Sequence, residues 1–442
     1  MATVDLSRLD GALKENYVGV TYDTIIRRSK ILDLAKENSQ VHDGPQGKYF
    51  KLSDLLGGNQ GIGSRLESEF LPEGDVPQFI NPVAYLKNHY ARIDTTYQAM
   101  VDAVQGKAAF ADWAKLTIVP TVNNFSDDLD RQLCGFGAGV FCRVSGAPSG
   151  TTVNIDRAFG ADYPGAGSVL GTTKGWVSGV QRGMKLVAGP NLDGTGLRGG
   201  GTPVTVLAVD FQANSAGGAL TVDNIGALTS GDYLFRGDAY GNNTAATGVE
   251  REMMGFEGLV DDGTLVDTVF GISRTAVPEW KSLRRDLNNA AVTEGNVMRA
   301  LTDVGLYGGG QCNVAWTGGD EWRGVYNAIR GLGGFGANRD GSGVTAGAKG
   351  VNIETPFGSI NLRGVERCVP GRAYFGDTST LHRFVQGQGE WDTTAGGTMF
   401  RQVQVGAAVK DAYYAFYRLR MQFACDNPRK WVKVLGMNTS AF

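Results

Sequence analysis

The stretch Lys107–Gly139 reads KAAFADWAKLTIVPTVNNFSDDLDRQLCGFGAG and carries the strongest helical pattern in the chain. Pro120 lies inside it, and because proline lacks the backbone N–H that a helix needs, it predicts a kink. The cluster Gly135, Gly137 and Gly139 predicts where the helix ends. The apolar side chains recur every three or four residues, as one helix face requires: Phe110, Trp113, Leu116, Val119, Val122, Phe125, Leu129, Leu133 and Phe136.

Two strand-like runs precede this helix between Lys48 and Asp94, and they flank a polar tip that contains several glycines. The returning run, 83–93, alternates with a strand period, yet neither of its faces is purely apolar. A two-stranded ribbon is barely stable alone, and this tip offers almost no apolar anchor, so the ribbon is expected to lean on a partner. The candidate contact residues at the tip are Gly57, Gly58, Gly61, Gly63, Arg65, Glu67, Glu69, Glu73 and Asp75.

Residues 1–45 are polar and mixed in charge, with only short amphipathic pieces such as Thr24–Leu32. A segment of this composition cannot build a core by itself, so we expect it to lie on another surface as an arm. Its candidate contact residues are Arg27, Arg28 and Lys30.

The chain beyond the long helix predicts mostly strands. Residues 140–250 alternate short strands with turns and predict an inserted β domain, with strands at 152–155, 184–187, 204–209, 219–222 and 233–235. Helices return over 278–336, where Trp322, Val325, Tyr326 and Ile329 follow a helical spacing after a strand at 312–316. Strands are predicted again over 351–437, including 358–362, 372–375 and 412–423.

Length and composition exclude several classes of protein. The 442 residues are 42% hydrophobic and 20% charged, which fits neither a disordered chain nor a membrane protein. Glycine accounts for 65 residues, about twice its usual share. Lys plus Arg number 42 against 45 Asp plus Glu, so the basic stripe of a nucleic-acid-binding protein is missing. The five cysteines form no C-x-x-C motif and predict reduced, buried thiols in an unsecreted protein.

Motifs for chemistry are few. The spacing Gly331-x-Gly333-x-x-Gly336 matches a dinucleotide fingerprint only in letters, because it follows a helix instead of a strand. Asp377, Ser379 and His382 lie close together in sequence but lack a nucleophile elbow, which favours turn chemistry. The acidic pairs Glu67/Glu69, Asp261/Asp262 and Asp320/Glu321 are typical of helix first turns or solvated loops. We predict no catalytic residue, no metal site and no cofactor, and hence an assembly subunit instead of an enzyme.

The order of these elements resembles the major capsid protein of tailed double-stranded DNA bacteriophages, which has the Hong-Kong-97-like fold. Tyr49–Leu52, 67–77 and 79–87 resemble its extended E-loop, and 130–135 the end of its spine helix. Residues 182–187, 231–238 and 255–262 resemble the β insertion of many phage capsid proteins. Residues 369–377 and 426–437 resemble the closing strands of the peripheral domain.

The resemblance implies an α+β fold, with the chain divided in order into six parts. These are an N-terminal arm at 1–45, an E-loop at 46–94, a peripheral domain with the spine helix at 95–139, an inserted β subdomain at 140–250, an axial domain at 251–350, and returning strands of the axial and peripheral domains at 351–442. The insertion is expected on the outer surface, where a turn-rich domain is most easily accommodated.

The function implied by the resemblance is self-assembly into hexamers and pentamers of an icosahedral shell that encloses packaged double-stranded DNA. The implied partners are the chain itself, a portal, a separate scaffolding protein, a decoration protein, and the DNA through non-specific contact, with no membrane. The location would be the virion, after assembly in the bacterial host cytoplasm. An encapsulin-type nanocompartment shell is an alternative, as is a β-rich phage decoration or carbohydrate-active protein.

Some relatives of this kind crosslink an E-loop lysine to a neighbour's asparagine. No lysine lies between Leu52 and Leu86 in this chain, so the loop tip cannot supply the amine. We therefore predict a noncovalent shell.

Overall fold

The structure is a computed structural model of the 442-residue chain. It describes residues 25–26, 28–38, 42–44, 47–59, 61–74, 76–96, 107–158, 179–192, 194–211, 218–224, 228–237, 252–288, 290–330, 351–355, 358–365, 367–369, 371–387, 389–392, 401–405 and 408–437.

Helices and strands both occur throughout the described residues, so the predicted α+β class is confirmed. The helices are α1 (Lys107–Cys134), α2 (Phe256–Leu259), α3 (Glu294–Gly308) and α4 (Gly319–Arg330). The strands are β1 (Lys36–Asn38), β2 (His42–Gly44), β3 (Gly47–Lys51), β4 (Asp54–Gly57), β5 (Gln78–Ile80), β6 (Val83–Tyr85), β7 (Lys87–Thr96), β8 (Val140–Val144), β9 (Thr152–Ala158), β10 (Lys185–Gly189), β11 (Val204–Asp210), β12 (Ala219–Val222), β13 (Tyr233–Arg236), β14 (Thr268–Val269), β15 (Ile272–Ser273), β16 (Leu283–Asp286), β17 (Val314–Thr317), β18 (Val351–Thr355), β19 (Gly358–Gly364), β20 (Ala373–Gly376), β21 (Leu381–Val385), β22 (Glu390–Trp391), β23 (Arg401–Val405), β24 (Ala408–Cys425) and β25 (Trp431–Leu435).

The first sheet is organised around β24, which is 18 residues long and pairs with β7, β21, β22 and β23. The ten residues of β7 pair antiparallel with β24 along their whole length. Helix α1 lies against this sheet, where the ring of Phe125 meets Tyr417 of β24 edge to face at 5.6 Å. The long helix and the long strand therefore support each other through a shared apolar face.

Over residues 118–134, where the structure describes the side chains of α1, the apolar stripe departs from the predicted one at Val119. Ile118 is buried, whereas Val119 is 43% exposed. Ile118, Phe125, Leu129 and Leu133 are spaced by seven, four and four residues, which keeps them on one face of a 3.6-residue helix. The helix ends at Cys134, immediately before the glycine cluster, as predicted.

The second sheet has the strand order β16-β25-β20-β17-β19-β18. Helices α3 and α4 pack on it, and their apolar side chains share a cluster with Ala315, Phe375 and Val432 of the sheet. The segments 369–377 and 426–437 contribute β20 and β25 to the middle of this sheet. They therefore lie among strands of the predicted axial range, not with α1 and β24 as expected for closing peripheral-domain strands.

Phe256, the first residue of α2, joins the two sheets. Its ring lies 4.6 Å from Trp316 and 5.1 Å from Trp431 in the second sheet, and 5.3 Å from Phe423 in the first sheet. The preceding Gly255 passes so close to the end of α1 that a Cβ there would lie 2.6 Å from the carbonyl oxygen of Gly135. Only glycine permits this approach, which explains the Gly-Phe pair at this point.

The insertion forms a closed barrel with the order β10-β11-β12-β9-β8-β13. The five strands predicted from the sequence are present, and β8 completes the barrel. Buried residues fill its interior, among them Cys142, Val153, Leu186 and Leu220. Because the interior is packed with apolar side chains, the barrel has a hydrophobic core of its own.

Candidate assembly surface

The ribbon is the part of the chain from β3 to β6. At its base β3 pairs with β6, further out β4 pairs with β5, and the outermost part lies between Gly57 and Gln78. We refer to residues 58–77 as the ribbon tip, and its described residues, 58–59, 61–74 and 76–77, belong to no strand. The ribbon is thus a two-stranded element that ends in an irregular loop.

Large apolar side chains cover the outer half of the ribbon and leave it exposed. Phe70 is 95% exposed, Ile62 87% and Leu71 83%. The same exposure extends to Leu55, Leu66, Val76 and Phe79. Exposed apolar groups of this size are typical of contact sites, whereas isolated apolar residues on a surface are ordinary.

These apolar residues correct the sequence analysis, which assigned the tip almost no apolar anchor. The stretch 66–79 carries Leu66, Phe70, Leu71, Val76 and Phe79 within fourteen residues. Their spacing follows neither a helix nor a strand period, so a prediction based on side-chain periodicity does not identify them. A search for large apolar residues inside a segment rich in glycine and carboxylates would have found them.

The tip residues predicted from the sequence lie beside this apolar group. Gly57 and Gly61 are half-buried, while Gly58, Gly63, Arg65, Glu67, Glu69 and Glu73 are exposed. Asp75 lies outside the described residues. At Gly61 a Cβ would lie 2.7 Å from the carbonyl oxygen of Glu73, so the two sides of the tip approach closely there. Whether these residues contact another subunit stays a prediction.

The base of the ribbon is anchored on its own chain. Phe50 stacks on Phe384 at 4.2 Å, and the backbone N–H of Val83 donates to Phe270 O at 3.0 Å. Asp54 accepts a hydrogen bond from Asn427 Nδ2 at 3.3 Å and lies 3.7 Å from Arg429 Nη2. Burial raises the pKa of the Asp54 carboxyl above its ordinary value, although Arg429 acts in the opposite direction. The ribbon therefore has a fixed base and an exposed apolar end.

The arm residues that the structure describes contact their own chain. Ser29 Oγ donates to Asp130 at 2.7 Å, and Arg28 contacts Asn123 and Asp127 of α1 at 2.6 and 2.9 Å. Lys30 Nζ donates to Gly364 O at 2.8 Å. Arg27 lies outside the described residues. Arg28 and Lys30 therefore make contacts within their own subunit. Their contact with a neighbouring subunit stays a prediction.

The segment 25–38 is also held by apolar packing. Its buried residues, most of them in the amphipathic piece Thr24–Leu32 named in the sequence analysis, join the main core of the same chain: Ile25, Ile26, Ile31, Leu32 and Ala35. Strand β1 then pairs parallel with β21. Arg383 reinforces this pairing by donating to Leu32 O at 2.7 Å and contacting Glu37 at 2.8 Å.

An ionic cluster, buried at Arg131 and Glu252 but partly exposed at Arg236, joins the barrel to the end of α1. Arg131 lies 2.6 Å from Glu252 and 3.1 Å from Asp128, and Arg236 of β13 lies 2.6 Å from Asp128. Burial opposes ionisation of Asp128, but Arg131, Arg236 and Gln132 outweigh it and lower its pKa to about 2. The guanidinium of Arg131 also lies 4.1 Å from the Phe141 ring centre. The charge pairs of α1 with Arg236, the last residue of β13, and with Glu252 therefore hold the exit of the barrel against α1.

His89 of β7 is buried beneath α1, and burial lowers its pKa to about 4, although nearby Asp128 acts in the opposite direction. Lys87 and Arg131 also oppose its protonation. In the unfolded chain the pKa of His89 is near its ordinary value of 6.5. As the pH falls, the unfolded chain therefore binds this proton at a higher pH than the folded chain does. We expect the free energy of unfolding of the unassembled subunit to fall by about 3 kcal/mol between pH 6.5 and 4 through this residue alone.

The measurement is urea unfolding of the subunit across that pH range. His89→Gln should flatten the pH dependence, since glutamine does not titrate. An unchanged slope in this variant would contradict the assignment to His89.

The Asp377, Ser379 and His382 group serves turn structure, as predicted. Asp377 accepts from the Ser379 backbone N–H at 2.8 Å and from its Oγ at 2.7 Å. His382 Nε2 instead contacts Asp426 at 3.0 Å, so it does not activate Ser379. The glycines of 331–336 lie outside the described residues.

The five cysteines are all buried, reduced thiols, as the sequence analysis expected. Burial raises the pKa of Cys312 and Cys425 to about 12, which keeps these thiols protonated.

In the described part of the chain, no group of three or more His, Cys, Asp or Glu side chains is placed to hold a metal ion. No helix there is both long enough and apolar enough to span a bilayer.

Comparison with solved structures finds similar chains among phage particles. The chain is similar to a structure described as the cyanophage A-1(L) capsid asymmetric unit, at 10% identity, a TM-score of 0.48 and 93% coverage of each chain. It is also similar to a structure from Mycobacterium phage Bobi, at 10% identity, a TM-score of 0.42, and 92% and 90% coverage. A capsid of a native GTA particle matches at 8% identity, a TM-score of 0.42, and 92% and 89% coverage.

Two of these structures are capsids by their own description. A scan against protein-family models finds no match. A search of curated proteins finds no similar chain.

Proposed function

We propose that the chain is the major capsid protein of a tailed phage, which self-assembles into hexamers and pentamers of an icosahedral shell around packaged double-stranded DNA. The observation that carries this proposal is the ribbon, with its anchored base and its exposed apolar tip. Phe70, Leu71 and Ile62 would not stay in water in a functioning protein of this size without a surface to cover them.

The surface that covers the tip is a neighbouring copy of the same chain. A tip that docks on a different surface of the next copy makes a heterologous contact, and repeated heterologous contacts close into rings. Rings of five and six subunits are the units of an icosahedral shell. In this arrangement the ribbon is the E-loop, and residues 1–45 form the arm that contacts a further subunit.

The remaining parts of the chain have roles that follow from the same arrangement. Residues 95–139 and part of 351–442 form the peripheral domain, and 251–350 form the axial domain at the centre of each ring. Leu306 and Tyr307, at the exposed end of α3, are available for contacts there. The insertion at 140–250 faces outward, away from the DNA.

The partners in this proposal are a portal, a separate scaffolding protein, a decoration protein and the packaged DNA, which the shell contacts without sequence specificity. The nearly balanced charge, 42 basic against 45 acidic residues, suits a container whose DNA must pack and leave. Assembly would take place in the bacterial host cytoplasm, and the product would be the virion. The role is structural and has no substrate to turn over.

Electron microscopy of the expressed chain, alone and with the products of neighbouring genes, tests the proposal. Closed icosahedral shells are expected, and native particles should contain DNA that is protected from nuclease. Shells filled with protein cargo would instead indicate an encapsulin-type compartment. Monomers that bind glycans would overturn the proposal in favour of a decoration or carbohydrate-active protein.

We expect the shell to be noncovalent between subunits. The ribbon tip has no lysine, so the amine required for a crosslink to a neighbouring subunit is missing there. Mature particles boiled in detergent should therefore run on a denaturing gel as a single band at the monomer position. A ladder of covalent multimers would contradict this prediction.

A further inference from the structure

Three ionisable side chains meet in the core between the two sheets. Lys433 of β25, Asp261 in the loop after α2, and Glu257 of α2 each have side chains with no exposed surface. Lys433 Nζ lies 2.8 Å from Asp261 Oδ1 and 3.4 Å from Glu257 Oε1. The lysine and the aspartate are 172 residues apart in the chain, so only the fold brings them together.

The two oxygens of Asp261 have different surroundings. Oδ1 faces the amine of Lys433. Oδ2 accepts three backbone hydrogen bonds, from the N–H groups of Gly263 at 3.0 Å, Leu265 at 2.9 Å and Val266 at 3.2 Å. Three fixed donors around one carboxyl oxygen stabilise negative charge on it, as an oxyanion hole does in acyl transfer.

Glu257 is held in place beside the amine by two further groups. Arg372 Nη1 contacts its Oε1 at 2.6 Å, and the hydroxyl of Tyr374 donates to its Oε2. Burial and the nearby Glu257 raise the pKa of Tyr374 well above its ordinary value, so the hydroxyl keeps its proton and remains a donor. Glu257 is therefore a positioned carboxylate within reach of the reacting nitrogen.

Burial opposes ionisation of Asp261, but Lys433, the Leu265 N–H and Arg274 outweigh it and lower the pKa of this carboxyl. Burying a lysine and an aspartate as ions carries a large desolvation penalty, which their mutual attraction offsets. Conversion of the pair to a neutral amide removes both charges. Arg274, which lies 4.0 Å from Asp261, would keep its hydrogen bonds to the carbonyl oxygens of Gly258, Leu259 and Val266 after this conversion.

We propose that Lys433 and Asp261 condense spontaneously after folding to form an intramolecular isopeptide bond, with Glu257 as the group that carries the proton. The chemical class is amide formation between a lysine amine and an aspartate carboxyl with loss of water. It needs no oxidant, reductant or other reactant.

The step balances in atoms and charge. The ammonium of Lys433 first gives one proton to Asp261 Oδ1 across the 2.8 Å contact, which leaves a neutral amine and a carboxylic acid. The Nζ lone pair then attacks Cγ, and the negative charge develops on Oδ2 within the three N–H donors. Glu257 takes the second proton from Nζ and delivers it to the Oδ1 hydroxyl, which departs as water. The third proton stays on the amide nitrogen, and Glu257 is again a carboxylate.

Intact-mass measurement of the purified, fully denatured chain tests this proposal. We expect a mass lower than that calculated from the sequence by one water. Proteolysis should release a branched peptide that joins the segment containing Asp261 to the segment containing Lys433. A full-length mass, with both segments released as separate peptides, would show that the pair is an ion pair only and would overturn the proposal.

Variants separate the roles of the residues. Glu257→Gln should give the full mass, because an amide cannot accept the proton, and Lys433→Arg should give the full mass because a guanidinium does not condense. Water loss that persists in Lys433→Arg would place the modification elsewhere and would also overturn the proposal. The wild-type mass and the peptide map decide the question even if these buried variants fold poorly. Because the bond lies within one chain, the outcome does not depend on whether shells form.

Discussion

Replacement of Phe70 and Leu71 by aspartate is expected to abolish shell assembly and to leave the subunit folded. The two side chains are 95% and 83% exposed, so the subunit loses no packing when they change. In the assembled shell the same positions would be buried against a neighbour, where two unpaired carboxylates each carry a large desolvation cost. Sedimentation of the expressed protein should show shells for the wild type and slowly sedimenting subunits for the double variant.

The matched control is the double replacement of Leu207 and Phe211 by aspartate, which changes two exposed apolar residues of the barrel outside the tip. This variant should assemble at close to the wild-type yield. Circular dichroism and the urea midpoint of the double variant should equal those of unassembled wild-type subunits. Normal shells from the Phe70 and Leu71 double variant would refute the proposed role of the tip.

Replacement of Arg131 by methionine is expected to cost about 3–5 kcal/mol of subunit stability at pH 7, because it leaves Glu252 buried without its nearest charge partner. Arg131 lies 2.6 Å from Glu252, and both are almost completely buried. Urea unfolding measures the change. The assembly-deficient tip variant provides a suitable background, since contacts with other subunits then contribute nothing.

The loss should be smaller at acidic pH. Burial already raises the pKa of Glu252 against the influence of Arg131, and removal of Arg131 raises it further. A carboxyl whose pKa is higher in the folded than in the unfolded chain opposes folding at neutral pH, and this cost is relieved as the pH falls and the group protonates. Arg28→Met is the control. Arg28 pairs with Asp127 of α1, the helix that also carries Arg131, but Arg28 is 43% exposed, so its replacement should cost less than about 1 kcal/mol. Equal losses in the two variants would contradict the argument.

Local patterns in the sequence predicted the elements that are themselves local. The end of α1 at Cys134 and the strand β12 at Ala219–Val222 were identified from side-chain spacing and turn residues. Even so, the buried stripe of α1 passes through Ile118 and not Val119, a choice that depends on what the helix packs against. Closure of the barrel was not predicted, because it depends on pairing between strands that are distant in the chain, such as β8 with β13.

In the candidate sites, too, local features were predicted from the sequence and contacts between distant residues were not. The glycines and charged residues of the ribbon tip were evident in the sequence. The apolar residues Phe70 and Leu71 were not predicted as contact residues, because their spacing follows neither a helix nor a strand period. Lys433 contacts Asp261, although the two residues are 172 positions apart in the chain. No motif at either position signals that contact, so only the folded chain reveals it.

The closed barrel has a consequence for how the chain could change over evolutionary time. The chain enters the barrel on β8 and leaves it on β13, and Val140 and Phe235 are register partners in neighbouring strands. Because the two connections lie side by side, a short loop can bridge them without moving α1 away from Phe256. The barrel is therefore a removable module: it can be lost, exchanged or enlarged with fusions while the two sheets keep their arrangement.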